Sequence, residues 1–477
     1  MSDAAGIPGG RRIAVIGSGV AGLTAAYVLN RQDTVTLFEA EPRLGGHAHT
    51  HDVPQAGGPV LGIDTGFIVH NARTYPTLLR LFAELGIETQ DSEMSMSVRC
   101  DGCGLEYAGA RAKGRGILPR PSTVLRGRYL LMLLEVLRFY RRARALLAEA
   151  SDAGNAAGSA AGGTPGETEL TLGAFLAREK FSGYFISHFM TPIVSAVWSC
   201  DPTMALAYPA RYLFTFLAHH GLLGVSGSPQ WRTVTGGSRS YVDKIAATLP
   251  EIRLASPVTG VRRHADGVVL TTSTGSGTLS TETFDAVVIA THPAQALGML
   301  SDASPAERDA LAGMPYSVNH TVFHRDAAVL PASDNAKASW NYRLPSCDAR
   351  PDKVLVSYDM TRLQRLEPAD GGRYIVSLGE SELIADHTVL ERMVYEHPQY
   401  TPESLHAQQR ILALGDGRLA FAGAYHGWGF HEDGALSGVR AAARLGRGWD
   451  DPAVALNEQY HAVAIDPDLQ TVAAEGS

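Results

Sequence analysis

The chain is poor in cysteine and poorer still in lysine for its size: four cysteines in 477 residues, and only Lys113, Lys180, Lys244, Lys337 and Lys353 among 41 basic side chains. So few cysteines exclude a disulfide scaffold, and the expected setting is a reducing cytoplasm. An excess of basic charge is missing too, since 41 Lys and Arg stand against 49 Asp and Glu for a formal charge of −8. That balance removes nucleic acid from the expected partners, because nothing supplies a field for phosphates. No apolar run is long enough to span a bilayer, and the residues before Arg12 show no secretory apolar core. What remains is 45% hydrophobic and 19% charged, the balance of a globular chain with room for two or three domains.

Arg12-Ile13-Ala14-Val15-Ile16 is an apolar run that enters a glycine turn. Leu23, Ala26, Tyr27 and Leu29 follow at helical spacing, then Val35-Thr36-Leu37-Phe38 as a second strand. Strand, turn, helix and strand within about thirty residues make a right-handed crossover, the start of a parallel sheet. The turn itself, Gly17-Ser18-Gly19-Val20-Ala21-Gly22, is G-x-G-x-x-G in the context the motif requires. Gly17 permits the tight turn, Gly19 lets backbone approach a pyrophosphate, and Gly22 allows close helix-to-strand packing. The N–H groups of Val20 and Ala21 open the helix toward the phosphates. Glu39 closes the second strand, where a carboxylate can accept both hydroxyls of an adenosine ribose. The joint pattern predicts dinucleotide binding.

Beyond the acid, Glu39-Ala40-Glu41-Pro42-Arg43-Leu44-Gly45-Gly46 places a diglycine after an arginine. This stretch resembles the N-terminal fingerprint of the FAD-dependent amine oxidoreductase superfamily, which includes monoamine and polyamine oxidases, protoporphyrinogen oxidase and phytoene desaturase. Val258-Thr259-Gly260-Val261 with Asp285 to Thr291, Gly236-Gly237 with Tyr241, and Phe421-Ala422-Gly423-Ala424 with Glu432-Asp433-Gly434-Ala435 are similar to further segments of it. Within the superfamily the chain looks most like a bacterial group of FAD/NAD-binding oxidoreductases associated with cyclopropane-type fatty-acyl modification. The marks of that group are Gly45 to Thr50, Asp64-Thr65-Gly66-Phe67, Trp340-Asn341-Tyr342 and Gly427 to Gly434.

The resemblance implies an α/β fold, in which a Rossmann-like FAD-binding domain (1–70, 233–295 and 408–462) carries a discontinuous mixed-sheet and helical substrate domain (71–232 and 296–407). It assigns FAD contacts to the glycine turn, Glu39, Ala40, Arg43, Gly45, Gly46, Thr65, Gly66, Val258, Thr291, Gly423, Ala424, Glu432, Asp433, Gly434 and Ala435. His47 stands where many relatives carry arginine and is expected to contact phosphate or pack beside it. Backbone N–H groups at a helix start over Gly434–Leu436 would stabilise the negative charge that a reduced flavin carries. The segment 419–440 has no cysteine, so FAD is expected to be held without a covalent link.

The expected reaction is hydride transfer from a hydrophobic, fatty-acyl or other lipid substrate to flavin N5, of dehydrogenase or desaturase type, with an electron acceptor the sequence does not name. Three other readings stand beside it: a double-bond isomerase without net oxidation, an amine oxidase, and a non-catalytic flavoprotein partner of a lipid-modifying enzyme. The amine-oxidase reading is weakened because His431 falls where an aromatic wall is expected, and because Lys337 and Lys353 sit in loop-like surroundings. His431, then His426, then His70 are the candidates for proton transfer. Phe189, Trp198, Trp340 and Trp428 are expected to shape the pocket.

Residues 124–149 alternate leucine with arginine and predict an amphipathic helix. It could lie on an anionic membrane surface, giving peripheral contact, but reads first as a partly exposed helix of the substrate domain. Residues 151–167 carry no large apolar side chain and read as a flexible loop, and 463–477 as a tail. Cys100-Asp101-Gly102-Cys103 is C-x-x-C, a redox pair or half a zinc site. Cys200 and Cys347 are isolated in sequence and no histidine pair follows at finger spacing, so the motif reads as a turn between two short strands and no metal is expected.

Overall fold

The computed structural model describes residues 10–109, 115–157, 169–225, 227–273, 277–379 and 382–449. The 463–477 tail and residues 158–167 of the expected loop lie outside them. A five-stranded sheet runs in the order 251–253, 34–38, 12–16, 286–289, 419–421, with every pair parallel. Its strands are short continuous runs of Ile, Val, Ala and Leu because both faces are covered, one by the helices Val20–Leu29 and His431–Arg444 and the other by the three-stranded antiparallel sheet 258–264, 267–273 and 279–284; Ile13, Val15, Val35, Leu37, Val287 and Val288 have no exposed surface. The first strand lies between the second and the 286–289 strand, so strand order reverses beside it. The glycine turn leaves its carboxyl end at that reversal, where open α/β sheets form their ligand crevice. The helix Val20–Leu29 packs there against the last helix, His431–Arg444.

A second, seven-stranded sheet is built from 389–398, 316–324, 375–378, 356–359, 340–344, 96–100 and 105–109 in that order. It is antiparallel except where 340–344 runs parallel to 96–100. All seven strands come from between residues 71 and 407, and all five of the first sheet from the segments that flank or interrupt that region. Helices at 172–178, 191–198 and 210–219 pack with the long helix Gly127–Ala157 beside the second sheet. This long helix extends seven residues into the stretch read as loop. Its buried row is Tyr129, Met132, Val136, Phe139, Ala143 and Leu146, while Leu131, Leu134 and Leu137 are more than half exposed. Among the described residues no helix is long and apolar enough to cross a membrane.

Candidate active site

The glycine turn is held from three sides. Gly17 N–H donates to the Phe38 carbonyl at 2.8 Å, and a Cβ on Gly22 would stand 1.9 Å from the Gly17 carbonyl oxygen, so only glycine closes this helix on its strand. Gly19 differs: a Cβ there meets no protein atom within 4 Å. Protein packing does not require glycine at 19, which leaves the expected approach of a pyrophosphate to the helix start as its reason. The N–H groups of Val20, Ala21 and Gly22 form the first helical turn and have no acceptor within the helix. The diglycine lies against this turn. Gly45 N–H donates to Ser18 at its carbonyl (3.1 Å) and hydroxyl (3.2 Å), and a Cβ on Gly46 would come within 3.2 Å of Gly19 Cα. Arg43 folds back onto the Gly46 carbonyl at 2.9 Å and braces the segment. Ala40 is exposed beside it.

Glu39 is half-buried at the end of its strand. One carboxylate oxygen accepts from Ser18 N–H at 2.9 Å and Ser18 hydroxyl at 2.5 Å, the other from Glu41 N–H at 2.9 Å. Two carboxylate oxygens offer about four acceptor positions, so capacity remains for a ligand hydroxyl. Val258 starts the neighbouring hairpin and is half-buried, and Thr291 Cγ2 lies 3.3 Å from the Cβ position of Gly17.

The closing segment returns to the same place. Gly423 N–H donates to Ser437 hydroxyl at 2.8 Å, and Ala424 begins a short turn that carries His426. The last helix begins at His431, three residues earlier than the sequence suggested. Gly434 N–H is therefore already spent on the Phe430 carbonyl at 3.0 Å, and Ala435 and Leu436 lie inside the helix. The groups free to meet a developing negative charge are the N–H of His431, Glu432 and Asp433. The expected start failed because Phe430 lacks a capping side chain; Asp433 replaces it by accepting from Phe430 N–H at 2.9 Å. Gly434 and Gly438 allow this helix onto the first: a Cβ at 434 would stand 2.6 Å from Val20 Cγ1, and at 438, 2.3 Å from the Ala21 carbonyl. Both helix starts thus converge at the glycine turn.

Side chains of this segment do other work. Both carboxylate oxygens of Glu432 accept 2.9 Å bonds from Thr77 and Leu78 N–H, which caps the helix Pro76–Leu85. Asp433 is buried, and loss of solvent pushes its carboxyl up to about 7. His431 stacks on Phe67 (centroids 3.7 Å, planes 10° apart), and its Nε2 lies 3.1 Å from the Tyr241 hydroxyl. Burial, then the nearby His70, holds its pKa down to about 3. His70 packs edge-on against Phe82 with neither ring nitrogen hydrogen-bonded among the described residues, and burial lowers it to about 4. His426 is buried beside Tyr425.

Around the diglycine the structure gathers residues that sequence reading treated singly or missed. His47 packs between Tyr395 and His397 (centroids 5.0 and 5.2 Å), and its buried Nε2 has no hydrogen-bond partner among the described residues. Thr65 hydroxyl lies 2.8 Å from Tyr395 hydroxyl, which in turn lies 2.9 Å from His49 Nδ1. Gly66 sits so close that a Cβ would stand 2.2 Å from the His47 carbonyl. Asp64, pushed up to about 6 by burial, ties Thr50 to Ser238. Only the surrounding glycines and the Asp in an apolar stretch hinted at this; Tyr395 and His397 come from a strand far along the chain. Lys337 pairs with Asp334 at 2.7 Å and Lys353 with Glu382 at 3.7 Å, both at the surface.

Of the expected pocket residues, Trp198 and Trp428 meet: Trp198 Nε1–H donates to the Trp428 carbonyl at 3.0 Å. Phe216 and Phe430 join them, stacked at 4.9 Å. Phe189 lies apart with Tyr140 and Phe185, and Trp340 with Tyr358.

Comparison with known proteins agrees with the geometry. The profile of the flavin-containing amine oxidoreductase family matches residues 20–446. Among solved structures, cyclohexylamine oxidase from Brevibacterium oxydans IH-35A superposes with a TM-score of 0.62 at 18% identity, covering 94% of this chain and 99% of that one. A putative protoporphyrinogen oxidase from Exiguobacterium sp. 255-15 gives 0.59 at 18%, over 91% and 98%. A CLA-producing fatty acid isomerase from P. acnes gives 0.59 at 16%, over 90% and 97%. No curated protein matches in sequence. The glycine cradle, the strand-end acid and the two helix starts are the parts that would hold the FAD of this family.

Proposed function

Because this chain belongs to the flavin-containing amine oxidoreductase family, we propose that it oxidises a hydrophobic substrate of the lipid class. Bound FAD supplies the acceptor for hydride. The observation that carries the substrate class is the aromatic wall running into the last helix start: Trp198, Phe216, Trp428 and Phe430 in ring contact, with the Phe67–His431 stack at the next residue of the chain. An apolar wall beside a redox centre binds and orients by exclusion of water.

The titratable groups beside this wall support the same reading. His431 at about 3, and His70 and His220 at about 4, are neutral at physiological pH, each lowered chiefly by burial. The two carboxyl groups at the helix start are directed at backbone N–H groups and offer no counter-ion to an ammonium. A neutral imidazole with so low a pKa is a weak base, so the site suits C–H oxidation that asks little of a protein base. Where a proton must move, His431, whose Nε2 lies 3.1 Å from the Tyr241 hydroxyl, is the candidate carrier.

The surface favours a lipid as well. Leu130, Leu131, Leu134 and Leu137 form an exposed strip on the long helix, with Arg128 and Arg141 also exposed on it. Such a strip suits peripheral contact with an anionic membrane, from which an apolar substrate could be drawn.

The test is anaerobic mixing of purified holoprotein with oleate, oleoyl phospholipid vesicles, cyclohexylamine or putrescine, following the oxidised-flavin absorbance. Bleaching by the lipids and not the amines is expected. Bleaching by the amines alone would overturn the substrate class, and a shifted double bond without consumption of an added acceptor would replace oxidation by isomerisation.

A further inference from the structure

The C-x-x-C turn is not alone in space. The strand Met96–Cys100 ends in it and Leu105–Gly109 leaves it, as the sequence suggested, but two distant residues complete its surroundings. Cys347, which sequence spacing left isolated, lies with its Sγ 3.9 Å from that of Cys100. His188 places Nε2 3.8 Å from the Cys103 Sγ. One ligand atom from each of Cys100, Cys103, His188 and Cys347 lies within 4.8 Å of every other. Cys100 and His188 are buried, and Cys103 and Cys347 half-buried. All four cysteines of the chain are free thiols, and 3.9 Å is far beyond the S–S bond length of about 2.05 Å.

We infer that Cys100, Cys103, His188 and Cys347 form a closed, four-ligand zinc site. A tetrahedral Zn²⁺ with bonds of about 2.3 Å to sulfur and 2.0 Å to nitrogen sets its donors roughly 3.5–3.8 Å apart, close to the separations found. Three sulfurs and one imidazole are a donor set that selects zinc among the common divalent ions. Four protein ligands leave no open position, so the site is structural. On binding, the three thiols release their protons to solvent and the neutral imidazole keeps its own, leaving a net charge of −1.

The surroundings are those a metal site needs. His188 Nδ1–H donates to the Tyr184 carbonyl at 3.1 Å, which turns the Nε2 lone pair toward the sulfurs. The Tyr184 ring stacks on the imidazole at 3.9 Å. His188 itself sits in a π-helical turn, Ile186–Met190, an irregularity common at functional sites. Backbone N–H groups of Cys103 and Leu105 point to the sulfurs of Cys100 and Cys103, the hydrogen bonds that stabilise thiolates in a tight turn. Gly102 has no room for a side chain, since a Cβ would stand 2.9 Å from Ser346 Cα; the 346–347 loop is thereby admitted to the turn. Arg126 fixes the turn by donating to the Cys103 carbonyl at 2.6 Å.

The three segments joined are a sheet hairpin, a loop after the strand Trp340–Leu344, and the helical turn leading into Thr191–Trp198. That last helix carries Trp198, which bonds Trp428, so the metal would brace the helix that seats the aromatic wall. The inference does not depend on the substrate proposed above.

Elemental analysis of the full chain, purified under reductant from zinc-supplemented cells, should find about one zinc per chain. Cys347→Ser and His188→Gln should fall below about a tenth of that, while Cys200→Ser, at a buried thiol outside the cluster, keeps it. Cobalt exchanged into the wild-type protein should give the intense visible bands of a tetrahedral thiolate complex; this holds the inference open to refutation even if the variants do not fold. Wild-type protein with neither zinc nor a cobalt spectrum overturns it, and so does a Cys100–Cys347 or Cys100–Cys103 disulfide in protein isolated with thiols blocked at lysis.

Discussion

The Ser18 hydroxyl donates to the Glu39 carboxylate at 2.5 Å while accepting from Gly45 N–H at 3.2 Å. One small side chain therefore joins the glycine turn, the strand-end acid and the diglycine. Glu39→Gln keeps the shape but loses the charge, and a hydrogen bond to a charged acceptor contributes about 1.5–3 kcal/mol. FAD affinity should fall roughly tenfold to a hundredfold. Titration of apoprotein with FAD by flavin fluorescence measures it; unchanged affinity would remove Glu39 from the cofactor site.

The two glycines at 19 and 22 should fail in opposite ways. Gly19→Val adds atoms where no protein atom stands within 4 Å, so the fold should melt within a few degrees of wild type yet purify with little flavin. Gly22→Ala drives a methyl to 1.9 Å from the Gly17 carbonyl, and should lower thermal stability itself, as overpacking of a tight helix-strand contact typically costs 1–3 kcal/mol. Apoprotein melts separate the two losses. Equal destabilisation by both would show that Gly19 serves packing.

What could be read from sequence was local. The crossover from Arg12 to Phe38 and the acid at 39 fall within thirty residues, and periodicity and turn chemistry act at that range. The start of the last helix was misplaced because its cap is reversed, with Asp433 reaching back to Phe430 N–H in place of a capping residue ahead of the helix. His47 meeting Tyr395, His431 meeting Phe67, and Cys347 meeting Cys100 are contacts between segments far apart in the chain, the last of them set by the pairing of strand 340–344 with 96–100. No spacing rule reaches across that distance.

Glu432 is an example of a residue whose motif and task differ. Its position suggests cofactor binding, yet its carboxylate receives Thr77 and Leu78 N–H at 2.9 Å each and caps a neighbouring helix. Loss of an N-cap costs about 0.5–2 kcal/mol, and here the carboxylate is buried as well. Glu432→Ala should lower the melting temperature by several degrees, and Glu432→Gln, which retains an acceptor, should recover part of it. Flavin content of the folded fraction should stay near wild type, because the helix-start N–H groups remain. Flavin loss without a change in melting would return the side chain to the cofactor site.

Stability should depend on pH through buried histidines. His431 is held down to about 3, and His70, His220, His324 and His397 to about 4, each chiefly by burial. An unfolded histidine titrates near 6.5, so between those values the unfolded chain binds protons that the folded chain refuses. Their contribution is complete above about pH 6.5 and is lost as pH falls toward 4. Asp64 and Asp433 act in the opposite sense, since burial raises them to about 6 and about 7. Their protonated forms favour the fold at low pH, an advantage lost as pH rises from about 4 through those values. Histidines lowered by burial, His49 among them, outnumber the raised carboxyls, which also include Glu169, Asp359 and Glu432, so the melting temperature should drop steadily from pH 6.5 to 5. His70→Leu removes one buried imidazole with no hydrogen bond to lose among the described residues, and should make that decline shallower. Thermal melts of both proteins at half-unit steps of pH decide it: a flat profile, or parallel profiles for the two proteins, would mean that these imidazoles keep access to solvent protons.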